Sequence, residues 1–366
     1  RRLLDASFSL LGNMLQLDGF AANADLKVSS VGNEFRFELT NDQWDAGLLN
    51  PSFAITGLTS LQTIAGGAIT SISVGSSTAI GNVMNDAGAF HVSSLDINSH
   101  GTITLNNPAN DFGTVAIHAT GDVTLFDAND LGVNYVDAGA NNITVSVGGS
   151  ITDGGDTFQN FTGNHLELHA VNGIGDGNSL ETNVTSFSAS TTGAAADIDI
   201  TELNDLEIRS VTASTALLSE IRITAGGSII DGDSGVDDLD LSASRVDLTS
   251  LNGSIGASSA NLFNMSVNGL EVNATTGSAT ASMGAAVISN AVGFTISSKI
   301  GVLQFTADGS VSDADLTSDN FVILANGHNL TLNDPLSVTG DLRIEADDLL
   351  GTLNISANSL KLHSLL

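Results

Sequence analysis

One short motif returns along the chain at an interval of about 80 residues, and an interval of that kind marks a fold assembled from stacked, similar units. Gly149-Ser150-Ile151-Thr152-Asp153-Gly154 recurs as Gly227-Ser228-Ile229-Ile230-Asp231-Gly232 and as Gly309-Ser310-Val311-Ser312-Asp313-Ala314. A fainter copy, Gly67-Ala68-Ile69-Thr70-Ser71, precedes them. A second marker keeps step: Asn172-Gly173-Ile174-Gly175 leads to Thr191-Thr192-Gly193, and Asn252-Gly253-Ser254-Ile255-Gly256 leads to Thr275-Thr276-Gly277.

Inside each repeat the apolar residues alternate with polar ones. Ile143/Val145/Val147, Val123/Leu125, Leu206/Ile208, Val246/Leu248 and Leu342/Ile344 are examples, interleaved with Thr, Ser, Asp, Glu or Arg. Period two is the signature of a strand with one buried face. Clusters of Gly, Asn, Asp and Ser separate these runs, as tight turns require. No apolar stretch shows a 3.6-residue period with helix caps, so the chain reads as all-β. Separate β-sandwich domains would each need an enclosed core, usually with an aromatic anchor. One Trp, one Tyr and only 3 Pro among 366 residues do not supply such anchors and linkers. A β-solenoid fits better, with coils of about 20 residues, four to each 80-residue repeat, burying ladders of small aliphatic side chains. About 18 such coils at the strand spacing would make a stiff rod on the order of 85 Å long.

Residues 1–50 differ in texture and hold Phe35, Phe37 and Trp44. They are read as divergent first coils or an N-terminal cap, because a solenoid end must be covered against edge-to-edge pairing. Residues 51–366 form the repeats, with starts near 67, 149, 227 and 309. An aromatic ligand platform at Phe35 and Phe37 is the functional alternative to core packing there.

Charge narrows the partners. Against 41 acidic residues stand 10 basic ones, for a net charge of −31. Nucleic acid requires clustered phosphate-neutralising cations, and Lys27, Lys299 and Lys361 are the only lysines, so DNA and RNA are excluded. Anionic lipid is disfavoured for the same reason, and no apolar run approaches the roughly 18 to 20 residues of a membrane-spanning helix. With no Cys there is no disulfide, thiolate metal site or Cys nucleophile. The start, Arg1-Arg2-Leu3-Leu4, has no signal-like segment, which suggests a mature or excised piece of a longer protein.

The acidity also bears on chemistry. A lyase acting on acidic polysaccharide would repel its own substrate. A hydrolase needs paired carboxylates, for which Asp231, Asp233, Asp237 and Asp238 are candidates, although Asp-Gly is ordinary turn chemistry. Calcium is the one ion the pattern suits. Asp153, Asp231 and Asp313 follow the leading Gly of the motif, each with a second carboxylate nearby at Asp156, Asp233 and Asp315, and stacked turns could add carbonyl ligands. Their spacing matches no established calcium loop, and solvated turn carboxylates are the competing reading. His165, Glu167 and His169 share a strand face, but His165 and His169 would stand about 13 Å apart, too far for one ion.

With the repeat written out, the chain resembles the large repetitive bacterial surface proteins related to filamentous haemagglutinin adhesins. The likeness lies in Gly149–Asp156, in Val171-Asn172-Gly173-Ile174-Gly175, and in Asp197-Ile198-Asp199-Ile200 leading to Asn204-Asp205-Leu206-Glu207-Ile208. It covers roughly residues 60–366. The resemblance implies a right-handed parallel β-helix at the bacterial cell surface, and the chain departs from that family in lacking a recognisable N-terminal secretion motif. The expected function is a non-enzymatic structural or adhesive segment, its acidic rod giving multivalent attachment to a glycan or protein of a host or neighbouring cell. A self-assembling fibre or surface-layer subunit and a glycan-active β-helix enzyme are the alternatives.

Overall fold

In the computed structural model the chain divides into two compact units, Arg1–Val171 and Asn172–Leu366, both all-β. The structure describes residues 6–44 apart from 22, 32 and 33, and residues 69–255 apart from 77, 86–87, 156–158, 215–218, 233–238 and 254. Residues 52–56 and 59–65 are described through their backbone, as are the strands between Phe263 and Ser364, where side chains are described only at 344, 355–357 and 359–362. No helix occurs among the described residues.

The first unit opens with antiparallel strands. β1 (Ser7–Leu11) and β2 (Met14–Asp18) form a hairpin across the two-residue turn Gly12-Asn13, with Gly12 at φ 64°, the left-handed geometry such a turn needs. β3 (Asp25–Val31) pairs antiparallel with β4 (Glu34–Thr40), which in turn pairs antiparallel with β6 (Thr59–Ala65) beyond β5 (Ser52–Thr56). On their other sides β2 and β3 pair in parallel with β7 (Ser71–Val74) and β8 (Val83–Asn85). The first coil is therefore β2 plus β3, and the hairpins occupy the edge that a preceding coil would otherwise take.

From β7 onward all pairing in this unit is parallel. β9 (His91–Asn98), β10 (Ile103–Leu105), β11 (Asp111–His118), β12 (Val123–Asp127), β13 (Leu131–Asp137), β14 (Ile143–Val147), β15 (Ile151–Asp153) and β16 (Phe161–Ala170) alternate between two ladders. One ladder runs Val83, Ile103, Val123, Ile143, Leu166, and the other runs Val92, Phe112 and, further along the strands, Leu95, Val115, Val133. The alternation of buried and exposed residues along each strand puts these columns inside, where every named side chain except Val92 is at most 1% exposed. Each such residue contributes roughly 1.5–3 kcal/mol by leaving water. Coil length is 20 residues at Ile103↔Val123 and Val123↔Ile143, the length that the turn spacing of the sequence implies.

Aromatic residues join the opening hairpins to the coils. Trp44 stacks on Phe8 at 4.1 Å and meets Phe20 edge-on, Phe37 faces Phe8 and Phe90, and Phe90 leads to Phe112 inside the second ladder. Trp44 Nε1 donates to the Phe37 carbonyl at 2.9 Å, which satisfies its polar atom in the interior. Phe35 and Phe37 are thus core residues and offer no platform to a ligand; Phe37 is fully buried.

The second unit repeats the scheme with slightly longer coils. β17 (Leu180–Thr191) pairs with both β18 (Ile198–Glu202) and β19 (Leu206–Thr212). β20 (Glu220–Ala225) lies on β18, β21 (Ile229–Asp231) lies on β19, and β22 (Leu241–Ser250) continues both ladders. Parallel pairing continues through Leu241↔Met265 and Val246↔Leu270 to Leu342↔Leu360. The chain is a parallel β-solenoid.

Stacking this close restricts the corners. A Cβ on Gly148 would lie 2.2 Å from the Ala128 carbonyl oxygen, and one on Gly226 would lie 2.1 Å from that of Leu203. Backbone cannot yield as a flexible side chain can. Gly148→Ala and Gly226→Ala are each expected to cost about 1–3 kcal/mol, read as a lower denaturant midpoint; unchanged midpoints would show that the coils are not stacked this tightly.

Candidate functional site

The polar groups that recur in both units lie at the corners, and their chemistry follows from the backbone. Where a strand ends, N–H groups leave the ladder and need another acceptor. Asp127 closes β12 in Asp127-Ala128-Asn129-Asp130-Leu131, and Glu202 closes β18 in Glu202-Leu203-Asn204-Asp205-Leu206. Asp127 accepts the Phe112 N–H at 2.5 Å and the Asn129 N–H at 2.8 Å. Glu202 accepts the Val184 N–H at 3.0 Å, the Thr182 hydroxyl at 2.8 Å and the Asn204 N–H at 3.0 Å. Each buried acid thus ties its own corner to the coil before it.

The following acid ties the corner to the coil after it. Asp130 Oδ1 accepts the Ser150 N–H at 2.7 Å, and Asp205 Oδ1 accepts the Ser228 N–H at 2.6 Å. The carboxylate oxygen comes to 2.1 Å and 2.0 Å of where a Cβ would stand on Gly149 and Gly227. The leading Gly of the recurring motif is therefore the space that the preceding coil's Asp needs. Asp122 and Asn142 repeat the device at a second corner, the Asp122 carboxylate accepting the Asn142 N–H at 2.9 Å.

The motif's own carboxylates fall one strand later. Asp153 ends β15, and its Oδ1 accepts the Gly155 N–H at 3.0 Å and the Asn160 side-chain amide at 2.9 Å; Asn160 also donates to the Val133 carbonyl. Asp231 ends β21 in the corresponding place and is buried. Asp156, Asp233, Asp237, Asp238 and Asp313 lie outside the described residues. Asp315 is placed by its backbone, in register with Thr295. Among the described residues no group of three or more His, Asp or Glu gathers as a metal centre. His165, Glu167 and His169 are half-exposed on the outer face of β16, where the Glu167 carboxylate and the His169 ring stand 3.1 Å apart.

Outward from the core the ladders present repeated polar columns. Thr104, Thr124 and Thr144 occupy successive register positions in the first unit, as do Thr201, Thr224 and Thr249 in the second. Their spacing is the strand separation, about 4.8 Å. Beside the second column Arg222 donates to Asp199 at 2.6 Å and to Glu220 at 2.7 Å, and Arg245 reaches Glu220 at 3.0 Å. The Asp199 hydrogen bond, ahead of the nearby carboxylates, raises the Arg222 pKa further above its already high value.

Sequence reasoning found the motif but not the acids it serves. Asp127, Asp130, Glu202 and Asp205 each have a partner about one coil away, so their signal is a separation of about 20 residues and lies inside the 80-residue repeat.

Burial raises the carboxyls of Asp127 and Glu202 above the ordinary carboxylate value, and the N–H donors offset this only in part; Asp111 adds to the rise at Asp127 and His91 opposes it. Such a group keeps its proton to higher pH in the folded chain than in the unfolded one. The stability it contributes is full below the ordinary range, about pH 4, and is lost as pH rises through the folded value. Self-repulsion of the net −31 charge acts in the same direction. Denaturant midpoints are therefore expected to fall as pH rises above about 4, the ordinary carboxylate range. Glu202→Gln removes one such proton site and should make the fall shallower; an identical slope in the variant would contradict the assignment. Comparison of the chain with family models, curated proteins and solved structures finds no match.

Proposed function

We propose that the chain is a non-enzymatic structural or adhesive segment of a large bacterial surface protein, working outside the cell by multivalent attachment. The observation that carries this reading is the division of labour in each coil. Two buried corner acids, Asp127 and Glu202, are occupied by backbone N–H groups, while the outer faces repeat shallow polar columns such as Thr104, Thr124 and Thr144. Weak contacts repeated along such a face add up through effective concentration. The net charge of −31 keeps copies apart and disfavours anionic surfaces, which directs the reading toward a neutral or cationic glycan or protein of a neighbouring cell. The likeness to filamentous haemagglutinin adhesins supports the same location and role.

Assembly into fibres through the first coil is disfavoured, because the antiparallel hairpins already occupy the outer edges of β2 and β3. Calcium enters this reading as a bridge between turn carboxylates, with Asp153, Asp231 and Asp315 the candidates among the described residues.

Beads coated with the chain should attach to cell surfaces with a steep dependence on coating density, and free chain should compete only weakly. Attachment independent of density would contradict multivalency. Release of reducing sugar from neutral polysaccharide, abolished by Asp231→Asn, would replace the adhesive reading with a hydrolytic one.

A further inference from the structure

Between Arg36 and Arg209 the sequence contains neither lysine nor arginine, so the coils of the first unit from β7 onward carry no permanent cation. On one outer face of those coils three strands bring six side chains together. Asp96 and Asn98 stand on β9, Ala116 and His118 on β11, and Tyr135 and Asp137 on β13, with Asp96, Ala116 and Tyr135 in one register column and Asn98, His118 and Asp137 in the next. All six lie at least partly exposed. Tyr135 is the only tyrosine in the chain, and it faces outward where Phe90, Phe112 and Phe161 face the core.

The arrangement has a definite chemical character. Ala116 is short and sits between Asp96 and Tyr135, so the column has a notch whose walls are two strand spacings, about 9.6 Å, apart. Asp137 is held in place, its Oδ1 accepting the Gly139 N–H at 2.9 Å and its Oδ2 3.1 Å from His118 Nδ1. An aromatic ring favours both the C–H face of a sugar and a cation. Carboxylates on either side favour an ammonium group through charge-assisted hydrogen bonds. A surface with no permanent cation repels uronates and phosphates.

We propose that this face binds an amino sugar carrying a free ammonium group, as found in deacetylated hexosamine polymers. The ring seats in the notch over Ala116 against Tyr135, and Asp96 takes the ammonium, with Asp137 adding negative potential from the next column. This inference rests on the adhesive reading and names its ligand.

The test is calorimetric titration of the full chain with a glucosamine hexamer at mildly acidic pH and physiological ionic strength, with oligolysine of equal charge as the control. Tyr135→Ala and, separately, Ala116→Gln should each weaken hexamer binding about tenfold and leave oligolysine binding and the thermal midpoint unchanged. Equal hexamer binding by wild type and variants, or parallel losses for hexamer and oligolysine, would reduce the effect to general charge attraction and overturn the site. The bead assay separates the two levels. If the variants bind the hexamer as well as wild type while coated beads still attach to cells, the site is wrong and the adhesive reading stands. If wild type neither binds the hexamer nor attaches, both fall.

Discussion

At the corners of the solenoid a side-chain carboxylate or amide takes over for the backbone donors that the strand ladder leaves behind. Along the strands each N–H meets a carbonyl of the adjoining coil; at the bend some donors, such as those of Ala128 and Leu203, keep such a carbonyl, while others lose it. Asp127, Asp130, Glu202 and Asp205 supply the missing acceptors in two corners of equivalent sequence, one in each unit. The glycine that follows one coil later is the steric counterpart of that oxygen. The repeated sequence is therefore a stacking instruction, and the abundance of Asp reflects the number of corners as much as any affinity for cations.

Coils closed this way still leave one problem, since a parallel ladder ends in unpaired donors and acceptors that invite another strand. The first unit solves it by changing pairing mode. β2 and β3 pair in parallel with the next coil on one side and antiparallel with β1 and β4 on the other. Trp44, Phe8 and Phe37 fill the space behind the hairpins, so the aromatic content near the N-terminus serves the closure.

Much of this was legible in the sequence. The alternation Ile143/Val145/Val147 specified a strand with its inner face, and the structure buries all three. The coil length followed from turn spacing. Coil-on-coil stacking followed from the absence of anchors for separate sandwich domains, and its parallel sense from the resemblance alone. Two matters were not legible. Period two gives the side of a strand on which Phe35 and Phe37 lie but not whether another layer covers it, so core and platform read alike. Polar residues at turns also look the same whether they bind an ion, face water or accept an N–H from another coil, since the partner lies about 20 residues away in a position no local pattern marks. Asp153 shows the point: its oxygen holds Gly155 and Asn160 in place, a local role that composition alone would assign to turn chemistry.

Residues that build the coil are distinct from residues left for recognition, and the proposed function depends on that separation. A substitution scan of residues 91–151, scored for both folded abundance and attachment to cells, tests it most directly. Changes at inward and corner positions such as Leu125, Asp127 and Gly148 should lower abundance and attachment together, while changes at outward positions such as Asp96, Ala116 and Tyr135 should spare abundance and alter attachment alone. Tolerant corners, or a scan in which no outward position at all alters attachment, would contradict it.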